Sequence, residues 1–178
     1  MDSAPCRSWW SGSPNRNTDR KSRAVITDGR GTYVLVLQSM YEQSILVGRL
    51  GTLDVCPGTY VYVGSALGPG GLRARVGRHA STAAKRKRWH IDYLLDLVRP
   101  IETWCTVGTE KHEHVWAKAI TRLPGASVPM RGFGSSGCRC ESHLFYFAKR
   151  PSAQTFECAL GAAVHSTAAA SGRRGQRR

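Results

Sequence analysis

The sequence predicts an α+β fold in which a small, mostly antiparallel sheet of about three central strands is flanked by helices. Several short runs of β-branched and apolar residues, separated by turn residues, are typical of strands. Segments with helical spacing of apolar residues stand apart from these runs, and a few strands beside separate helices favour an antiparallel sheet. A length of 178 residues with an apolar fraction of 41% is enough for one domain with one modest core.

Both ends of the chain differ in composition from its middle. Residues 1–28 are rich in Ser, Asn, Arg, Pro and Gly without periodicity, and the last residues form an Arg-rich tail. We therefore predict a disordered basic N-terminal extension over 1–28, a folded domain over 29–162 and a disordered Arg-rich tail over 163–178. The tail is expected to be a solvated electrostatic arm.

The first half of the domain predicts three strands. Residues 32–38 and 44–48 are short apolar and β-branched runs, which we expect to form an antiparallel pair. After a turn-rich passage, residues 59–64 alternate so that Tyr60 and Tyr62 lie on one face and the intervening valines on the other. This third strand should present hydroxyl groups on one side only.

Two helices are predicted next. Residues 72–79 follow a Gly-Pro-Gly-Gly break, and within them Arg75 and His79 are four positions apart, so they are neighbours on one helical face. Residues 89–98 are chiefly apolar with helical spacing, and Pro100 should stop this second helix.

The second half of the domain predicts one more helix and further extended segments. The helix covers 112–123, carries Glu113 in its first turn and is ended by a Pro-Gly pair. Extended segments are expected over 101–107 and 142–148, with a glycine-rich flexible loop over 132–137 before the latter.

The chain carries a large excess of positive charge. Twenty-six Lys and Arg residues against twelve Asp and Glu give a formal charge of +14, which is more than solubility requires. Nucleic acid fits as the partner better than a membrane surface, because phosphates along a backbone reward distributed cations through counterion release. No stretch approaches the roughly 18 apolar residues of a spanning helix, and no apolar signal-peptide segment is present. We expect a cytoplasmic protein without a membrane partner.

Six irregularly spaced cysteines are expected to be free thiols. Cys138 and Cys140, with His143 close behind, offer three potential zinc ligands. The usual ligand pairs are separated by about two to four residues, and a fourth ligand is not evident. We therefore do not expect a structural zinc ion, although a zinc or redox element stays open as a further hypothesis for this segment.

Three separated pieces of sequence occur in a recognisable order. They are Gly31-Thr32-Tyr33, Tyr62-Val63-Gly64 and Leu72-x-x-Arg75-Val76-x-x-His79. Together they resemble the signature of the GIY-YIG nucleases, whereas any one piece alone would be weak. Residues 89–95 and 132–145 resemble the small free-standing Uri-type branch of that family, so the resemblance covers nearly the whole predicted domain.

The resemblance implies an enzyme that cleaves phosphodiesters with one divalent cation, Mg²⁺ or Mn²⁺. It implies catalytic roles for Tyr33, Tyr62, Arg75 and His79, and it assigns the cation to Glu113, with Glu110 as the alternative. The residue chemistry agrees with these roles. The guanidinium supplies a charged donor fork for phosphate oxygens, the imidazole can relay a proton near neutral pH, and either tyrosine can orient or deprotonate the attacking water. We favour Tyr33 as the base.

Residues around this centre are assigned supporting roles. Ser65 and His90 are candidates for residues that contact and support the catalytic side chains. A basic group is expected to follow the nucleic-acid backbone, and it consists of Arg78, Lys85, Arg86, Lys87 and Arg88. Gly137 stands where the Uri-type branch is expected to carry Asp, so one outer contact to the phosphate is in question.

Two functions from different classes are therefore carried forward. The first is a metal-dependent endonuclease, with DNA favoured over RNA as its substrate. The alternative is a catalytically weakened module that binds nucleic acid without cutting it, which the Gly137 departure would allow. A plainer interpretation of Tyr33 and Tyr62 is ordinary strand packing, and only their place in the ordered pattern favours a functional one.

Overall fold

The computed structural model describes residues 26–81 and 86–169 and confirms the α+β class. Over these residues the elements, in chain order, are β1 (Gly31–Ser39), β2 (Gln43–Leu46), β3 (Thr52–Val55), β4 (Gly58–Ser65), α1 (Gly71–Ala80), α2 (His90–Leu94), β5 (Arg99–Val107), α3 (Glu113–Ile120), β6 (Leu144–Phe147), α4 (Ala153–Leu160) and β7 (His165–Ala168). Among the described helices, none combines the length and the apolar character that crossing a bilayer requires.

Five strands form one antiparallel sheet in the order β6-β4-β1-β5-β7. The three central strands β4, β1 and β5 have eight, nine and nine residues, and the two edge strands have four each. The prediction of about three central strands is confirmed, with a short strand added at each edge. β1 is buried along nearly its whole length because layers cover both faces of the sheet.

The two faces of the sheet carry different cores. Tyr33, Tyr60 and Tyr62 pack with residues of α1 and α2 on one face. Valines of the same strands pack with Trp104 and with residues of α3 and α4, including Phe156, on the other. The predicted alternation of tyrosines and valines in β4 is therefore confirmed, and the hydroxyl-bearing face is the one that α1 covers.

The predicted pairing of residues 44–48 with the first strand is wrong. β2 pairs with β3 in a separate two-stranded sheet, closed by a hydrogen bond from Val47 N to the Gly51 carbonyl. β1 is hydrogen-bonded to β4 on one side and to β5 on the other, so both of its edges are occupied. The mostly exposed β2 cannot replace either of those longer, buried partners.

The second helix is shorter than predicted. Only His90–Leu94 is α-helical, residues 95–97 form a turn, and β5 begins at Arg99. Pro100 therefore lies inside a strand, not after a helix. The strand tolerates a residue without an N–H because its pairing with β1 shifts register between Val36 and Leu37, which is next to Pro100.

The predicted domain ends also need correction. β7 lies in the interval 163–178 that was predicted as disordered, and it pairs with β5, where Cys105 is opposite His165. A polar His-Ser-Thr-Ala run becomes a strand because β5 offers an open edge, which local sequence does not reveal. At the other end, Thr27 belongs to the predicted extension, yet its carbonyl accepts a hydrogen bond from Arg73 N in α1. Residues 1–25 and 170–178 lie outside the described residues.

Candidate active site

A cavity of about 240 Å³ opens on the tyrosine face of the sheet. Its lining contains all five residues that were predicted for chemistry, namely Tyr33, Tyr62, Arg75, His79 and Glu113. These side chains come from β1, β4, α1 and α3, so only the fold brings them together. Ser65, predicted as a supporting residue, lines the same cavity. Their catalytic roles stay predictions, but their convergence is a feature of the structure.

Tyr33 and His79 form a buried pair in this cavity. The Tyr33 hydroxyl lies 2.9 Å from His79 Nε2, and it donates to that nitrogen when the imidazole proton is on Nδ1. Burial raises the pKa of Tyr33 well above its ordinary value, the nearby Tyr62 phenol adds to the rise, and Arg75 opposes it. The phenol is thus protonated at neutral pH, with an acceptor for its proton already in place.

Tyr62 lies beside this pair. Burial raises its pKa to about 12, and the Arg75 guanidinium limits the rise. The Tyr62 ring packs edge-on against Phe133 at 6.1 Å between centroids. Both phenols are therefore neutral hydrogen-bonding groups in the metal-free protein. Either phenol can act as a base only if it can pass its own proton to a neighbouring acceptor.

Gly64 is the glycine of the Tyr-x-Gly piece of sequence, and the structure explains why this position carries no side chain. It lies opposite Tyr33 in the β1–β4 register, and a Cβ atom at Gly64 would lie 2.5 Å from the Tyr33 hydroxyl oxygen. No real Cβ tolerates that separation, so the tyrosine ring can reach His79 only across a residue without a side chain.

Gly64→Ala is therefore expected to displace the Tyr33 hydroxyl from His79. Overpacking of this kind costs about 1–3 kcal/mol of stability, and misplacing a catalytic group by about 1 Å can cost about 10²-fold in rate. Thermal unfolding measures the first effect, and the rate of the predicted phosphodiester cleavage measures the second. Gly77→Ala is the matched control, because a Cβ there meets open space on α1. Wild-type cleavage by Gly64→Ala would contradict the role of the Tyr33 hydroxyl.

Glu113 has the setting of a cation ligand. It is the first residue of α3, and its Oε2 atom is buried without a hydrogen-bond partner among the described residues. An unsatisfied buried carboxylate oxygen is costly, and a hard divalent cation such as Mg²⁺ or Mn²⁺ binds such oxygens. The residues present therefore fit the implied cation. The alternative ligand Glu110 is exposed, lies 3.7 Å from His112 Nε2 and is outside the cavity lining.

Arg75 makes a cation–π contact with Trp89 at the cavity. Its guanidinium carbon lies 4.2 Å from the centroid of the Trp89 ring, and Arg78 and Arg88 approach the same ring at 4.8 and 5.3 Å. Cation–π contacts of this kind orient the guanidinium plane without using its N–H donors. The donors of Arg75 are thus left for an anionic ligand of the cavity.

Asp92 is a buried acidic residue next to the cavity that was not among the predicted site residues. It is buried, and its Oδ2 accepts hydrogen bonds from an Arg78 guanidinium nitrogen at 2.7 Å and from the backbone nitrogens of Arg88 and Trp89. Burial alone would raise the pKa of Asp92, but these hydrogen bonds and the Arg78 charge leave it lowered. Its Oδ1 lies 3.9 Å from His79 Nδ1. An acidic residue at the third position of a helix, after a basic run, is the available signal.

The predicted nucleic-acid residues line a second concavity of about 700 Å³, formed by Arg78, Arg86, Lys87, Arg88 and Trp89. We call it the basic groove. Trp89 belongs to both linings, so the groove adjoins the cavity. Lys87 is partly neutralised by Asp96, with 2.6 Å between Nζ and Oδ2. Lys85 was assigned to the same group and lies outside the described residues.

His90 supports the cavity from behind. Its Nδ1 accepts a hydrogen bond of 3.0 Å from the backbone nitrogen of Gly134, and Gly134 lines the cavity. Burial lowers the pKa of His90, which favours the neutral ring that this acceptor role needs. Gly137, by contrast, lies outside the cavity lining, with open space where a side chain would project.

A cluster of histidine and cysteine side chains adjoins the same cavity. It consists of His114, Cys138, Cys140 and His143, whose ligand atoms all lie within 4.8 Å of one another. His143 also lines the cavity. The sequence reasoning against zinc depended on the lack of an evident fourth ligand, and the structure supplies that side chain from α3. The cysteines at 56, 105, 138, 140 and 158 are free thiols, as predicted, and Cys6 lies outside the described residues.

One known family of protein domains matches nearly all of these elements. The family described as "Domain of unknown function DUF123" matches residues 32–166, which run from β1 into β7 and include every residue of the cavity and of the cluster. No curated protein and no solved structure matches the chain. Because the match spans well over half of its length, this chain belongs to the DUF123 family of domains of unknown function.

Proposed function

We propose that this protein is a metal-dependent endonuclease of the GIY-YIG type that hydrolyses phosphodiester bonds in nucleic acid, with DNA as the favoured substrate and the cytoplasm as its location. The observation that carries the proposal is the buried, unpartnered Glu113 oxygen in a residue that lines one cavity with two tyrosines, Arg75 and His79. A carboxylate, a guanidinium and a proton relay are what phosphodiester hydrolysis requires.

Negative charge builds on the phosphate during hydrolysis, and Arg75 is the group that would stabilise this charge. Its cation–π contact with Trp89 holds the guanidinium at the cavity, and its donors can pair with two phosphate oxygens. A divalent cation held by Glu113 would supply further positive charge to the phosphate and to the attacking water.

Tyr33 and His79 provide the route for the proton of the attacking water. As Tyr33 accepts that proton, it passes its own to His79 Nε2 across the existing 2.9 Å contact. This concerted transfer avoids a free phenolate, which the raised pKa of Tyr33 disfavours. The resulting imidazolium is favoured by Asp92, whose Oδ1 lies 3.9 Å from His79 Nδ1. Tyr62 remains a hydrogen-bond donor to the water or the phosphate.

The basic groove gives the rest of the substrate a binding surface. A nucleic-acid strand with its reacting phosphate at Arg75 would continue past Trp89 toward Arg86 and Arg88, which are exposed. Contacts of this kind hold the backbone without reading sequence. They also make binding depend strongly on salt.

A nicking assay on the purified chain tests the proposal. Supercoiled plasmid DNA should be converted to open-circular and linear forms with Mg²⁺ or Mn²⁺ and should stay intact with a chelator. An RNA of matching sequence should be cut more slowly. Salt-sensitive binding that persists in Glu113→Ala, without cleavage under any metal condition, would instead establish the weakened binding module.

Salt dependence should locate the nucleic acid in the basic groove. Replacing both Arg86 and Arg88 by Ala is expected to reduce the slope of log K against log salt by about 2, since each phosphate contact contributes about 0.9. Fluorescence anisotropy with labelled duplex DNA measures the slope. The control replaces Arg73 and Asp28 together, which removes an ion pair outside the groove without changing net charge and should leave the slope near wild type. An unchanged slope in the arginine variant would exclude the groove.

A further inference from the structure

The His/Cys cluster has the composition and the spacing of a closed metal site. Cys138 Sγ lies 3.4 Å from His143 Nε2, and Cys140 Sγ lies 3.4 Å from His114 Nδ1. A tetrahedral site with zinc–sulfur bonds of about 2.3 Å and zinc–nitrogen bonds of about 2.1 Å has sulfur–nitrogen edges of about 3.6 Å. The two observed contacts are already close to that edge length.

The chain positions these four groups by two different segments. His114 is in the first turn of α3, Cys138 and Cys140 are in the loop before β6, and His143 comes immediately before that strand. Backbone hydrogen bonds shape the loop, from Cys138 N to the Ser135 carbonyl and from His143 N to the Phe133 carbonyl. Three donors therefore come from one hydrogen-bonded loop, and the packing of α3 beside that loop adds the fourth.

We propose that His114, Cys138, Cys140 and His143 bind one structural zinc ion. Two thiolates and two neutral imidazoles around Zn²⁺ form a neutral, tetrahedral four-ligand site without an open position, which is the arrangement of structural zinc. The soft sulfur ligands distinguish this ion from the hard cation that fits Glu113. The inference is independent of the proposed nuclease activity.

A bound zinc ion would connect two segments of the chain that line the cavity. His114 follows Glu113 directly, and His143 and Gly134 both line the cavity. Zinc at the cluster would link the start of α3 to the loop and to β6 at the position where the carboxylate enters the cavity. It would therefore act as a positioning element for Glu113, in a region where the described secondary structure offers only a two-turn helix.

Elemental analysis of the full chain, purified under reducing conditions with zinc in the growth medium, tests the site directly. We expect one zinc per chain in the wild type and close to none when Cys138 and Cys140 are both replaced by Ser. Cys158→Ser is the matched control, because Cys158 is an exposed free thiol outside the cluster. His114→Ala should lower zinc content, whereas His112→Ala, two residues away, should not. Glu113→Gln should keep its zinc, which separates this ion from the catalytic cation.

Cobalt substitution of the wild type gives a second readout that needs no variant. After removal of metal by a chelator, added Co²⁺ should produce the intense visible bands of tetrahedral coordination and a thiolate charge-transfer band, and Zn²⁺ should abolish both. Excess Mg²⁺ should leave them unchanged. The proposal is overturned by a wild type that carries no zinc and gives no thiolate–cobalt band, by zinc that persists in the double cysteine variant, or by a disulfide between Cys138 and Cys140.

Discussion

Glu113→Gln is expected to lower the metal-dependent nicking rate by about 10³-fold or more while leaving the fold intact. The substitution keeps the size of the side chain and removes the charge that makes the buried Oε2 atom a cation ligand. Initial rates under single-turnover conditions measure the loss. Circular dichroism establishes that the variant is folded.

Thermal unfolding adds a signature that a purely structural role would not produce. Mg²⁺ or Mn²⁺ should raise the Tm of the wild type, since a ligand that binds only the native state stabilises it, and should not raise the Tm of Glu113→Gln. In metal-free buffer the variant should be at least as stable as the wild type, because it no longer buries an unpaired carboxylate oxygen.

Glu110→Gln is the control for this result. Glu110 lies in the segment just before α3, but its side chain is exposed and is close to His112. Its substitution should leave both the nicking rate and the metal-dependent shift in Tm unchanged. A Glu110 variant that loses activity while the Glu113 variant keeps it would reverse the assignment of the cation ligand.

Arg75→Ala should lower the cleavage rate by about 10²–10³-fold, which is the usual loss when one preorganised donor to a developing charge is removed. Arg75→Lys should recover only part of the rate, because lysine keeps the charge but lacks the planar fork that stacks on Trp89. Affinity for DNA should fall far less than the rate, since the basic groove retains Arg86 and Arg88.

Arg73→Ala is the matched control on the same helix. Arg73 is exposed and pairs with Asp28 at 3.1 Å, away from the cavity. It should cleave at close to the wild-type rate. Equal losses in the Arg73 and Arg75 variants would show that the helix contributes general positive charge and not a specific phosphate contact.

Local patterns account for the parts of the fold that could be predicted. The alternation in β4 placed Tyr60 and Tyr62 on one face correctly, because neighbouring side chains of a strand point to opposite faces. The helical spacing of Arg75 and His79 likewise placed both side chains on one face of α1, and both line the cavity. Pairing failed where it depended on competition between strands, as in β2, whose place beside β1 is taken by longer and more apolar partners.

The candidate site divides in the same way. Tyr33, Tyr62, Arg75 and His79 could be chosen because three short pieces, in their order and spacing, resemble the GIY-YIG signature. The part played by Asp92 could not be read from the sequence, because it comes from burial beneath Arg78 and from the distance to His79. The raised pKa of Tyr62 is also a property of its surroundings in the cavity.

By itself, the sequence determined the α+β class, the faces of the strands and the positive charge, because these follow from residue type and local periodicity. The five residues predicted for chemistry came from the resemblance to the GIY-YIG signature. Only the tertiary structure decided that Glu113 shares a cavity with Tyr33 and that His114 meets Cys138, Cys140 and His143. Both groupings bring together residues that are far apart in the chain. The strand order and the packing of α3 on the sheet set the distances between them.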